Sequence, residues 1–180
     1  MVQFTIRRIP EVSSTNTVAL EEARRGAPEG LVIVTDYQTS GRGKPGNSWV
    51  SPKGKNLLFS ILLRPPLSQA QAPMLTQVAC RAVAKTLKEK YDIDSEFKRP
   101  NDVMIGQRKI CGILVEAIST PSRLEAVVVG IGLNVNTETS ELPPNGTSMK
   151  LVTDRETSLE DLLGHILDEF CKKIHEFYKN

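Results

Sequence analysis

At 180 residues, 39% of them apolar and 24% charged, the chain is sized for one continuous core rather than two. A net charge of +2 gives no argument for nucleic acid, no run of apolar residues is long enough for a membrane span, and the N-terminus has no secretory pattern. Cys80, Cys111 and Cys171 are odd in number, widely spaced and without a C-x-x-C pair, which excludes a disulfide framework or zinc site and points to a reducing, cytoplasmic setting.

In chain order, Val2, Phe4 and Ile6 alternate as in a half-buried strand, and Val12 to Asn16 reads as a polar loop feeding a helix that Gly26 ends. Within that loop Ser13-Ser14-Thr15-Asn16 exceeds what one helix cap requires. Its hydroxyl and amide groups could also meet a neutral, strongly polar ligand group such as a urea, with Gln38 helping from a neighbouring strand end. Leu31 to Thr35 reads as a buried strand that empties into Tyr37-Gln38-Thr-Ser-Gly41-Arg42-Gly43-Lys44-Pro45-Gly46-Asn47-Ser-Trp49. Such a loop suits a phosphate beside a planar base: glycines let backbone N–H groups approach an anion, Arg42 and Lys44 supply charge, and Trp49 offers a flat face. Gly41, Gly43 and Gly46 also fit the dinucleotide-binding G-x-G-x-x-G spacing, but Pro45 interrupts it and no helix follows; a Walker A loop is excluded because no glycine precedes Lys-Ser or Lys-Thr at the required offset. From Tyr37 through Lys88 there is no Asp or Glu, so part of the surface is expected to be positive, although a solvated basic face is the plainer account of its helical cations.

Leu57 to Leu63 is another buried strand, stopped by Pro65-Pro66, and Leu75, Val78, Ala79, Ala82, Val83 and Leu87 recur at helical spacing. From Glu96 the period becomes that of a sheet, with strands expected over 96–98, 103–105, 109–117 and 124–133 and short turns implying antiparallel neighbours. Lys98-Arg99-Pro100-Asn101-Asp102 is an ordinary turn sequence by itself. Lys109 opens an otherwise apolar strand, where a lysine either snorkels to the rim or meets an anion in a pocket. Gly130 and Gly132, two apart in a buried strand, face one side and leave room against the backbone, unless they mark a bulge. Asn134 at that strand's end could read an adenine edge or merely close a turn. Residues 137–147 are loop, and Thr157 with Glu160 forms a capping box for a last amphipathic helix that carries the only histidines, His165 and His175, expected on its surface. The whole reads as an α+β fold, a mixed, largely antiparallel sheet covered on one face by helices.

Taken together, the Ser-Thr-Asn loop, Gln-x-x-Gly-Arg-Gly-x-x-Gly-x-x-Trp, Lys-x-Pro-Asn-Asp, Arg-Lys-x-x-Gly-Ile-Leu-Val-Glu and Gly-x-Gly-x-Asn, in that order from Val12 to Asn136, resemble the catalytic domain of biotin protein ligases. The resemblance implies a fold like that of class II aminoacyl-tRNA synthetases and biotin synthetases. It also implies a two-step enzyme that uses ATP and Mg²⁺ to make biotinyl-5′-AMP, then passes biotin to a lysine of a biotin carboxyl carrier protein, that of acetyl-CoA carboxylase. It places biotin contacts on Ser14, Thr15, Asn16, Gln38, Gly41, Arg42, Gly43, Lys109 and Gly112, and adenylate contacts on Arg42, Lys44, Trp49, Asn101, Lys109 and Asn134. Lys109, Arg42 and Asp102 take the catalytic roles, with no metal ligand firmly assigned and Mg²⁺ expected near Asp102. Three departures stand out: Arg99 where tryptophan is usual, Lys44 where a second arginine is common, and Asn47 where another basic residue often occurs. Lysine lacks arginine's two-pronged phosphate contact, which implies weaker retention of the adenylate. The expected organisation is one domain over 1–180, without a preceding DNA-binding domain or a following β-barrel, hence no DNA and no membrane partner; a homodimer through a sheet edge stays open. Two other readings are a lipoyl or octanoyl transferase of the same fold using Cys111, placed two residues from Lys109 on the same strand face, and a non-catalytic biotin or nucleotide sensor.

Overall fold

A computed structural model describes residues 2–44 and 46–179; Pro45, on which part of the loop reading rests, lies outside them. Among the described residues seven strands form one sheet: β1 (Thr5–Val12), β2 (Leu31–Gln38), β3 (Leu57–Leu63), β4 (Glu96–Lys98), β5 (Asp102–Ile105), β6 (Arg108–Ser119) and β7 (Leu124–Leu133). Their spatial order is β1-β2-β3-β7-β6-β5-β4, with β1 and β2 parallel and every other pair antiparallel. The helices are α1 (Thr15–Arg24), α2 (Leu75–Tyr91), α3 (Met149–Thr153) and α4 (Leu159–Tyr178).

Alternation along the central strands divides the core in two. Val32, Val34, Ile61, Leu63, Val127 and Val129 point to α2 and α4 and join the larger cluster with Leu87, Leu163 and Phe170. Their neighbours Leu31, Ile33, Leu62, Ala126 and Val128 point the other way, to Ala19, Leu20 and Ala23 of α1. Helices therefore cover both faces, not one, because β3, apolar except at Ser60, and the middle of β7 carry apolar side chains on both faces and a bare second face would leave that surface in water. Since α1 is only ten residues long, it covers only part of that face. The uncovered remainder, over β6 and the C-terminal half of β7, holds the site.

Four expectations shift. The first strand is Thr5–Val12 rather than the Val2–Ile6 alternation: Val2 and Phe4 pack on the larger cluster from outside the sheet, and Val12 ends the strand instead of opening a loop. As an edge strand paired on one side only, β1 is held by its ladder to β2 and carries little apolar signal. Helix α4 is capped one residue later than foreseen, by Ser158 accepting from the Asp161 N–H, because Thr157 is tied to Asn136 through its N–H and carbonyl (2.9 Å each). His175 is exposed, but His165 is half-buried, its Nδ1 3.2 Å from the Tyr91 hydroxyl. The cations of the acid-free stretch are also less free than the sequence suggests: Arg42, Lys53, Lys55, Lys85 and Lys88 each meet a carboxylate from elsewhere in the chain.

Candidate active site

Three glycines pave the floor. Gly112 of β6 lies opposite Gly132 of β7, and Leu114 lies opposite Gly130. A Cβ on Gly130 would stand 2.1 Å from Asn16 Oδ1; one on Gly132 would stand 2.6 Å from the Trp49 ring; one on Gly112 would meet both that ring (2.9 Å) and the Lys109 ammonium (3.1 Å). The period-two glycines thus accommodate side chains of this chain laid flat on the sheet, with no bulge at either position of the β6–β7 ladder.

One wall is the N-terminus of α1. Ser14, the N-cap, makes no side-chain bond to its own helix and lines the cleft. Gln38 Oε1 accepts from the Thr15 N–H (2.8 Å) and hydroxyl (3.2 Å). The Ser60 hydroxyl, fully buried on β3, lies within bonding distance of Thr15 Oγ1 (2.7 Å) and Asn16 Oδ1 (2.6 Å). Asn16 Nδ2 donates to the Leu114 carbonyl (3.2 Å) and to Glu116 Oε2 (2.8 Å), and Arg42 closes the group by donating to the same Glu116 oxygen (2.7 Å).

The glycine-rich loop folds back on itself, with the Trp49 N–H on the Gly41 carbonyl (2.9 Å) and the Gly43 N–H on Asn47 (3.0 Å). Gly41 does not line the cleft; it is buried behind the wall, where a Cβ would strike the Trp49 carbonyl at 2.3 Å. The Trp49 ring separates the main cleft, about 290 Å³, from a side cleft bounded by Val50, Leu142, Pro143 and Gly146.

Lys109 takes the pocket position rather than the rim. Its ammonium lies 2.7 Å from Asp102 and 5.5 Å from the Trp49 ring centre. Its backbone is held as well, donating to Asn145 (2.7 Å) and accepting from Thr147 (2.9 Å), so the 137–147 loop braces the strand at this residue. The β5–β6 register jumps between Val103 and Met104, skipping Ile110. That bulge is why Lys109 and Cys111, two apart, do not share a face as the strand period predicts: Lys109 lies beside Gly112 over the cleft, and Cys111 is buried in the larger core. Burial pushes the Cys111 thiol well up, with Cys80 adding to the effect, and a protonated, enclosed thiol is no nucleophile.

Of the residues singled out from sequence, Ser14, Thr15, Asn16, Gln38, Arg42, Gly43, Lys44, Trp49, Asn101, Asp102, Lys109 and Gly112 all line the main cleft. Asn101 spends its amide on the Ile113 carbonyl (2.8 Å). Asn134 borders only the side cleft, and its amide is engaged, donating to Thr147 (3.1 Å) and accepting from Asn56 (3.3 Å). Asn56, Ser60 and Glu116 went unnoticed as site residues. Ser60, a polar residue inside an apolar strand, carried a readable signal; Asn56 and Glu116 act through partners 74 to 100 positions away, which no local pattern reveals. Among the described residues no group of three or more His, Cys, Asp or Glu could hold a metal.

A sequence profile of the Biotin/lipoate A/B protein ligase family matches residues 9–134, the segment that builds this cleft. The chain belongs to that family. Among family members, the Bifunctional ligase/repressor BirA of Bacillus subtilis is 34% identical over 170 residues, covering 92% of this chain and 52% of its own length. The Biotin--[acetyl-CoA-carboxylase] ligase of Mycobacterium tuberculosis is 32% identical over 146 residues, 78% of this chain and 53% of its own. The chain spans about half the length of these curated relatives. In structure it is similar to the biotin protein ligase from Aquifex aeolicus solved with biotin and ATP, with a TM-score of 0.83, 28% identity, and coverage of 98% of this chain and 72% of that one. The seven-stranded mixed sheet with its helices is the fold of this family.

Proposed function

We propose that this chain is the catalytic unit of a biotin protein ligase: it joins biotin to ATP as biotinyl-5′-AMP, releasing pyrophosphate, and then delivers biotin to a lysine of a carboxyl carrier protein. The observation that carries this reading is a single cleft with Lys44 and Lys109 toward one end and Ser14, Thr15, Asn16 and Gln38, beside the Arg42–Glu116 ion pair, at the other. In the first step a carboxylate oxygen attacks the α-phosphorus and pyrophosphate leaves. Both reactants are anions, so the barrier is largely electrostatic and positioned cations lower it. No general base is needed, because the nucleophile is already ionised at neutral pH.

Seated this way, the neutral head of biotin meets the hydroxyl and amide groups of the α1 wall, and its carboxylate lies toward Lys109, which exchanges Asp102 for the substrate anions. The side cleft across Trp49 takes the nucleoside. Mg²⁺, a cation usually held by substrate phosphates and one or two carboxylates, would be carried mainly by the triphosphate with Asp102 as the carboxylate in reach, and would supply positive charge to the departing pyrophosphate. In the second step Asp102, once parted from Lys109, holds the incoming lysine amine and takes its proton as the nitrogen attacks the acyl carbon of the adenylate, forming the amide and releasing AMP. The relatives' names and the Aquifex complex with biotin and ATP support the same substrates. Lipoyl-type transfer through Cys111 is disfavoured by the burial of that thiol.

Exchange of radiolabelled pyrophosphate into ATP tests the reading. Exchange that requires biotin supports it; none with biotin present, or equal exchange without biotin, refutes it.

A further inference from the structure

Glu116 is a carboxylate beside a cleft meant for two anions, which needs a reason. On β6, Gly112, Leu114 and Glu116 occupy one face at successive period-two positions, so at roughly 3.3 Å per residue Glu116 lies about 13 Å along the strand from the Lys109 end. The cleft therefore has a direction. At one end stand Lys109, Asp102 and Asn101; at the other stand Asn16, Glu116 and Arg42. Glu116 binds Arg42 at 2.7 Å and Asn16 at 2.8 Å through one oxygen, cancelling the only cation that the described residues place at the hydroxyl-and-amide end. Lys44 has no ion-pair partner among the described residues and borders the cleft on the Asn101 side.

We propose that Glu116 is a specificity-determining residue: by neutralising Arg42 it leaves the α1 end of the cleft without net charge, so that a ligand with a neutral polar head and an anionic tail seats in one direction only. The inference rests on the biotin reading above and adds to it the origin of substrate orientation. With Glu116 uncharged, Arg42 becomes a second attractor for the carboxylate tail, and reversed, unproductive binding competes with the productive pose. Unproductive binding lowers kcat and KM together, whereas loss of a purely structural support weakens every ligand alike.

The test compares calorimetric binding of biotin and of biotin methyl ester, whose tail is neutral, to the wild type, Glu116→Gln and Glu116→Asp, each first checked for a native melting transition. In Glu116→Gln the preference for the acid over the ester should rise about fivefold, the order expected of one partly exposed unit charge, while kcat and KM for biotin in pyrophosphate exchange fall together. Glu116→Asp, which keeps the charge, should retain the wild-type preference and shows whether any loss in Glu116→Gln is one of fold. An unchanged acid-to-ester ratio in Glu116→Gln, or the same change in Glu116→Asp, overturns the proposal. A wild-type protein that binds neither ligand refutes the biotin reading itself.

Discussion

Replacing Gly130 by alanine puts one methyl group where the structure has least room. The new Cβ would lie 2.1 Å from Asn16 Oδ1, 2.8 Å from its Cγ and 3.0 Å from its Nδ2. Asn16 is 3% exposed and held on both ends of its amide, by Ser60 at 2.6 Å and by Glu116 at 2.8 Å, so it yields only by breaking those bonds. Overpacking costs about 1–3 kcal/mol and a lost buried hydrogen bond about 1 more, for a total of about 2–4 kcal/mol. For a chain of this length that lowers the melting temperature by about 5–15 °C. Thermal unfolding followed by circular dichroism reads the shift. Gly164→Ala is the control, since a Cβ there meets nothing within 4 Å on a helix, and it should be neutral or stabilising. Biotin binding should weaken in Gly130→Ala and hold in Gly164→Ala. If Gly130→Ala melts with the wild type and binds biotin as tightly, the packing of Asn16 onto the glycine floor is not what holds this wall.

Asn56→Ala should cost about 2–4 kcal/mol in urea unfolding, because the Val135 N–H and Thr137 hydroxyl that Asn56 Oδ1 accepts at 2.9 and 2.6 Å are left buried without a partner; a loss below about 1 kcal/mol would contradict that bookkeeping. Alkaline pH should destabilise the fold. Burial, reinforced by the Asp102 carboxylate, pushes the Cys80 thiol from 9.0 up to about 12, and burial raises Cys111 and Tyr178 too. The unfolded chain then loses its thiol protons first, so the urea midpoint should fall from pH 9 toward pH 12, with Cys80→Ala flattening the trend; a flat wild-type profile refutes it. Cys111→Ser should leave the adenylation rate near wild type, and its abolition would revive a thioester mechanism.

Much of the fold was legible because burial was uniform. The β3 strand, the β7 strand and helices α2 and α4 each carry an apolar pattern that nothing in their surroundings contradicts. The β1 strand failed that reading because an edge strand is specified by its ladder, and the α4 cap moved because Asn136, distant in sequence, claimed Thr157. In the site, residue types pointed to the chemistry, and Lys109 could be set beside an anion pocket although its face could not be deduced: the skipped residue Ile110 reverses the parity of the strand. Asn134 had the right chemistry at a plausible place, but two long-range bonds engage its amide. Glu116 was visible as part of a motif, whereas its bond to Arg42, 74 residues away, belongs to the folded chain alone.

The central claim is that Lys109 and Lys44 serve one chemical step by offsetting the repulsion of two anions. Single-turnover formation of biotinyl-AMP by Lys109→Ala, at saturating biotin and ATP, tests it most directly. A rate about a hundredfold or more below wild type, with the melting temperature preserved, is the predicted result. Adenylate formed at the wild-type rate would remove Lys109 from the chemistry and the account with it.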